Sequence, residues 1–272
     1  MRHVRDTTSR TVLRALPLVV FSLTLRPLVT SVGPVLPEIR SELHMSATQA
    51  SLLTVAPVIC FAIGAFFVPR MLVWISPNHA VAAALLLMFI GGTLRLGSTV
   101  ITLLTGTVIC GLGAAIGNIL GGIITRRDFA ARVGLVMGMY VGVMSVSSSA
   151  AAMVSFPVSQ RFGGWRPSLA LWAYLAIAVL LLWTITQAGH RENRPMVSRG
   201  SYRSIARNRA AWWLVVYFGF QSTNFHSLAG WLPSILRDSG IDGTSAGYMV
   251  SLMILLGVPA GIVVPPLAAR LD

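Results

Sequence analysis

The sequence predicts an all-α membrane protein, a helical bundle of eight transmembrane helices, and three observations carry that prediction. Of the 272 residues, 55% are hydrophobic and only 11% are charged, against about 25% charged in a soluble domain. Mean hydropathy is +0.75, and apolar runs of bilayer-crossing length recur along the chain. A hydrocarbon core about 30 Å thick takes about 20 residues of helix, and lipid-facing backbone must satisfy its own polar groups. The arginines, finally, collect between alternate runs.

Taken in order, the runs cover approximately residues 15–36, 47–68, 78–97, 100–124, 133–156, 168–187, 211–235 and 245–268. The first follows Arg2, Arg5, Arg10 and Arg14, as a secretory signal would. It is longer than a signal core, holds Arg26, Pro27 and Pro34, and lacks a small-residue cleavage site, so it is expected to stay attached. The third carries Arg95 near its outer end, where a long side chain can snorkel to the headgroups. The fourth and fifth carry glycines every four residues, Gly113, Gly117 and Gly121, then Gly134, Gly138 and Gly142. Such triplets make flat grooves for helix packing. The seventh is polar through Gln221, Ser222, Thr223, Asn224, His226 and Ser227.

Arginine placement sets the expected topology. With the N-terminus inside, cytoplasmic segments hold the four N-terminal arginines, then Arg70, then Arg126, Arg127 and Arg132. The polar stretch 189–209 adds Arg191, Arg194, Arg199, Arg203, Arg207 and Arg209, and Arg270 follows the last run. The outer side holds Arg40, Arg95, Arg161, Arg166 and Arg237. Both termini are therefore expected in the cytoplasm, in a multi-pass protein of the cell (inner or plasma) membrane. The net charge of +13 follows the membrane and implies no nucleic acid. The bilayer and a small-molecule substrate are the expected partners.

The pattern restarts after that stretch. Leu36-Pro37-x-Ile39 aligns with Leu232-Pro233-x-Ile235, and in the same register Thr48-x-Ala50 falls on Thr244-x-Ala246. Parallel six-span repeats build one large class of secondary transporters. The expected organisation is a six-helix bundle over 1–188, a basic cytoplasmic linker over 189–209, and the first two helices of an incomplete second bundle over 210–272.

This architecture resembles the major facilitator superfamily. Within it, Leu25-Arg26-Pro27-x-x-Thr30-Ser31-x-Gly33-Pro34-x-Leu36-Pro37-Glu38-Ile39 is similar to the cyanate/nitroimidazole transporter family. So are Gly113-x-x-x-Gly117-Asn118-x-Leu120 leading to Arg127-Asp128-Phe129, Gly163-Gly164-Trp165-Arg166, and Gln221-Ser222 followed by Gly230-Trp231-Leu232-Pro233. The resemblance implies a secondary active transporter of a small solute, such as a small anion like cyanate or a small heterocycle. Two departures stand out. The loop Gly64-Ala65-Phe66-Phe67-Val68-Pro69-Arg70 lacks the acid of the superfamily's charged signature, and the superfamily's twelve spans are reduced to eight. A missing C-terminal portion is therefore expected from the rest of the gene. The alternatives are a truncated inactive remnant or a non-transporting membrane partner subunit.

Arg26 is the leading site candidate. A charge at mid-membrane costs about 2.5 to 3.5 kcal/mol on insertion scales and is by default a functional hypothesis. Ser22, Arg26 and Thr30 share one helical face, and Pro27 removes a backbone donor beside the arginine. An anion-binding point and an arginine held by neighbouring helices are both open readings. Asn118, Tyr140, Gln221 and His226 are the further substrate-binding candidates, each with the alternative of simply bonding a neighbour. At 100° per residue the polar residues of the seventh run cannot all face one cavity. His226 is the one titratable candidate at mid-depth, with an unperturbed pKa of about 6.5.

Enzyme chemistry is not indicated. The sequence has no metal-ligand spacing, no nucleotide-binding glycine loop and no nucleophile–base pair, so no catalytic residue, metal or cofactor is assigned. Cys60 and Cys110 lie inside runs and read as small packing residues. The serines at 145, 147, 148 and 149 read as polar packing.

Overall fold

The computed structural model describes residues 2–187 and 208–268. Most of the expected linker, 189–207, and Arg270 lie outside the described residues. The first span is built in pieces: α1 (Arg2–Leu25), α2 (Pro27–Thr30), a 3-10 turn (Gly33–Val35) and α3 (Leu36–Glu42). Proline is the reason. Pro27 opens α2, Pro34 lies in the 3-10 turn and Pro37 in the first turn of α3, and each lacks the amide that a continuous helix needs.

The following helices are α4 (Ala47–Met71), α5 (Pro77–Leu94), α6 (Val100–Asp128), α7 (Val133–Arg161) and α8 (Trp165–Gln187). Ser46 starts α4 with a capping box: its hydroxyl accepts from the Gln49 amide at 3.2 Å, and the Gln49 side chain accepts from the Ser46 amide at 2.9 Å. Thr99 caps α6 by accepting from the Thr102 amide. The tight reversal between α7 and α8 uses Gly163 and Gly164 at φ 74° and 135°, backbone that favours glycine. Two more helices follow, α9 (Arg209–Asp238) and α10 (Gly243–Ala268).

Six stretches among the described residues are long and apolar enough to cross a membrane, from Thr11–Glu42 through Trp165–Thr186. They correspond to the first six expected runs. α9 has the length, 30 residues, but the polar run from Gln221 to Ser227 dilutes its apolar content. In α10 the shorter segment Gly243–Gly257 is apolar. Phe66, Phe67, Ile101 and Ile185 project from these helices well exposed, as residues facing hydrocarbon would.

Inside the bundle, Phe21 and Leu25 of α1, Met88 of α5, Leu120 of α6, Tyr140 of α7 and Trp183 of α8 belong to one buried cluster. The α6 glycines meet three different helices. A Cβ at Gly113 would stand 2.7 Å from the Ala84 carbonyl of α5; at Gly117 it would strike Leu25 of α1, and at Gly121 the Tyr140 ring of α7. The expected groove on α7 does not form at Gly134, Gly138 and Gly142, where an added Cβ would meet nothing within 4 Å. The buried row of α7 runs through Val136, Tyr140 and Met144, two residues and hence 200° away from the glycine row.

α9 is packed at one end only. A Cβ on Gly33 would strike the Ala229 carbonyl, and one on Gly230 would meet Thr54 of α4 at 3.0 Å. Ala152 of α7 clusters with Val250 and Ile254 of α10. At the other end of α9, the side chains of Trp212, Trp213, Tyr217, Phe218 and Phe220 are exposed.

Candidate functional site

The break in the first span sets up the site. Arg26 is the residue between α1 and α2, with φ −103° and ψ −31°, followed by Pro27. Its guanidinium lies 4.9 Å above the centroid of the Phe225 ring of α9, within cation–π range. No carboxylate among the described residues pairs with it. One turn on, the Thr30 hydroxyl lies 3.1 Å from the Ser148 carbonyl of α7 and 3.2 Å from the Arg26 carbonyl.

These residues open onto a cavity of about 200 Å³. Its walls are Arg26, Val29 and Thr30 of the first span, Phe61 and Ala65 of α4, Ala115, Asn118 and Ile119 of α6, and Ser222, Phe225 and His226 of α9. Three of the five candidates named from sequence, Arg26, Asn118 and His226, meet here. Asn118 donates through Nδ2 to the Ala114 carbonyl of its own helix at 2.9 Å. His226 Nδ1 lies 2.8 Å from the Ser222 carbonyl. A carbonyl only accepts, so that nitrogen carries the proton and Nε2 is the acceptor of the neutral ring. Phe61 and Phe225 flank the imidazole edge-on, with centroids at 5.9 and 5.3 Å. His226 also borders a smaller cavity of about 130 Å³, bounded otherwise by Thr54, Val55, Val58, Thr223, Ser227 and Trp231.

The other two candidates lie elsewhere. Tyr140 is buried behind the cavity wall, and its hydroxyl donates to the Gly117 carbonyl at 3.1 Å. Gln221 is exposed. The cavity flank of α9 is Ser222, Phe225 and His226, an i, i+3, i+4 set, and Gln221 is one residue off it. Ser22, expected on the face of Arg26, is buried and donates to the Val19 carbonyl at 2.6 Å. Arg95 does not snorkel outward. It has no exposed surface and donates to the Leu28 carbonyl of α2 at 2.6 Å. Phe61 and Phe225 were not legible as site residues, although Phe225 shares the polar flank of its helix. A larger cavity of about 370 Å³ lies at the arginine-rich helix ends, between Thr11, Arg14, Asp128 and Arg132, away from every candidate.

The cavity presents one cation, an amide, an imidazole and aromatic walls, drawn from the first span, α4, α6 and α9.

Comparison with known proteins agrees with this architecture. Residues 19–272 match the Major Facilitator Superfamily. The chain is 36% identical over 247 residues to an uncharacterized transporter of Bacillus subtilis, covering 90% of this chain and 61% of that one. It is 32% identical over 256 residues to the cyanate transport protein of Escherichia coli (94% and 66%). To the 2-nitroimidazole transporter of the same organism it is 28% identical over 243 residues (89% and 62%). The chain thus spans less than two thirds of the length of these relatives. Among solved structures, a D-xylose–proton symporter superposes with a TM-score of 0.63 at 14% identity, over 97% of this chain and 69% of that one, which shows a shared fold. Six apolar spans and a family match over nearly the whole length make this a multi-pass membrane protein, and the chain belongs to the major facilitator superfamily.

Proposed function

We propose that this chain carries out secondary active transport of a small solute, and that the solute is a small anion or a small polar heterocycle that passes Arg26. The observation that carries the reading is the Arg26 guanidinium, which has no carboxylate partner and lines a cavity walled by Asn118, Ser222 and His226. A cation placed there without a protein anion suits a transient one. Cyanate and 2-nitroimidazole, named in two relatives, are the natural probes. Binding and release, without bond chemistry, are the whole of the expected activity.

The test pairs uptake with folded yield. In proteoliposomes carrying the purified chain, Arg26→Gln is expected to lower labelled-cyanate uptake about tenfold or more, since a hydrogen bond to a charged group contributes about 1.5–3 kcal/mol. Monodisperse yield should hold, because removing an intramembrane charge lowers the insertion cost. Arg26→Lys should rescue poorly, lacking the planar fork. A glutamine variant that folds normally and takes up cyanate at the parent rate sinks the binding role.

The arginine bias supports cytoplasmic termini, a cytoplasmic linker over 189–209 and two bundles on either side of it. The exposed Ser98, between α5 and α6, is then extracellular. Failure of Ser98→Cys to react with an impermeant thiol reagent in intact cells would reject this orientation.

A further inference from the structure

Arg95 is the C-cap residue of α5. A Cβ on Gly91 would stand 2.6 Å from the Gly106 carbonyl of α6, and one on Gly106 would stand 2.8 Å from Arg95 Cγ. The close approach of these two glycines forms the slot that the arginine stem fills. From that slot the side chain crosses to the first span, where Nη1 donates to the Leu28 carbonyl at 2.6 Å.

The break leaves that carbonyl without its helical donor. In a continuous helix the Val32 amide would reach Leu28. Here the Val32 amide bonds the Val29 carbonyl at 3.4 Å, in the turn that ends α2. Arg95 supplies the donor from 67 residues away. Its Nε and Nη2 are buried with no oxygen acceptor, the Cys110 thiol of α6 is the other polar side chain beside the guanidinium, and no carboxylate among the described residues pairs with it. An apolar side chain would fill the same slot without the desolvation of an unpaired cation. Packing alone does not account for an arginine.

We propose that Arg95 is a positioning residue for the cavity. By donating to the Leu28 carbonyl it holds the break between Thr30 and Gly33, and so sets the direction in which Val29 and Arg26 face. Arg95 lines no part of the cavity itself and acts only through that carbonyl. Without its donor, the carbonyl recovers the Val32 amide, α2 lengthens toward Pro34, and Val29 turns with it off the cavity wall. The proposal rests on the reading of this cavity as the transport site, yet its geometry is measurable whether or not cyanate is carried.

The experiment follows thiol labelling by a water-soluble methanethiosulfonate in proteoliposomes of the full chain. Val29→Cys reports the break, and Ala65→Cys on α4, lining the same cavity, reports general access. Cys60 and Cys110 are buried, and the chain without added cysteines supplies the background. Arg95→Met is expected to lower the ratio of Val29 to Ala65 labelling about tenfold, as loss of a charge-assisted bond would. Arg95→Lys, which keeps a donor, should stay within about threefold of the parent. Should Arg95→Met give no monodisperse protein, Arg95→Gln, too short to reach the carbonyl, is read by the same ratio. A parent-like ratio in a well-folded Met or Gln variant overturns the proposal. So does an equal fall at both positions, which marks a packing defect, or a lysine variant that falls as far as methionine. Parent-rate cyanate uptake by Arg26→Gln would defeat the transport reading while leaving this ratio untouched.

Discussion

Arg237 on α9 donates to Glu38 on α3, with Nη1 and Oε1 2.7 Å apart. The side chains are 26% and 23% exposed, and the same guanidinium lies 4.9 Å over the Phe156 ring of α7. Beside them, the 3-10 turn at Gly33 abuts the Ala229 carbonyl. Three spans are tied at this end of the cavity, while the opposite end of α9 is exposed from Trp212 to Phe220.

This relationship predicts energetic coupling between Glu38 and Arg237. A double-mutant cycle on Glu38→Gln and Arg237→Gln, read by thermal unfolding in detergent, is expected to give about 0.5–3 kcal/mol of interaction energy. Partial burial places the pair above the near-zero values of exposed surface bridges. The exchanged pair, Glu38→Arg with Arg237→Glu, should recover part of the stability that either single change loses. Additive single effects would show that the ends are held by the glycine contacts alone.

What was legible in the sequence was the first span and the charge within it. An arginine followed by proline in an apolar run announces both a costly charge and a weakened helix, and Arg26 at the α1–α2 break shows both. Phase was less legible. Around α9 the polar residues run through all directions, so the sequence alone could not separate His226, on the wall, from Gln221, off it. Spacing has the same weakness for glycine. The triplets at Gly113 and Gly134 share one period, yet the first faces backbone and side chains of three helices and the second faces open space. Arg95 was read from its depth alone, whereas the slot made by Gly91 and Gly106 draws it inward. Phe61 looks in sequence like any lipid-facing aromatic residue, and only the fold sets it beside His226; Phe225 adjoins His226 in the chain, and only the fold sets its ring against Arg26.

The glycine contrast predicts opposite signs for one substitution. At Gly113, alanine would put a methyl 2.7 Å from the Ala84 carbonyl, and overpacking of this kind costs about 1–3 kcal/mol. At Gly138 the space is open, and alanine should stabilise the helix by about 0.5–1 kcal/mol through backbone entropy. Thermal midpoints of the two purified variants should therefore move down and up, respectively. A destabilising Gly138→Ala would mean that something covers this face of α7 in the membrane.

The last prediction concerns pH and the start of α10. The Asp242 carboxylate accepts from the Ser245 amide and from the Ser245 hydroxyl, each at 2.8 Å, which caps the N-terminal end of the helix. These bonds hold its carboxyl below the ordinary carboxylate range. A group whose pKa is depressed on folding contributes stability above its unfolded pKa, about 3.9, and loses it as pH falls through the folded value. Asp242→Ala should thus lower the thermal midpoint at neutral pH. Its difference from the parent should shrink below about pH 4, to what a neutral acceptor contributes once the native carboxyl is protonated. Asp242→Asn keeps a neutral acceptor, so it should lie between the two at neutral pH and show no titration in this range. Unfolding curves of all three proteins from neutral to acid pH decide the matter, and a parent-to-alanine gap that is the same at every pH would rule out the carboxylate as the source of the cap.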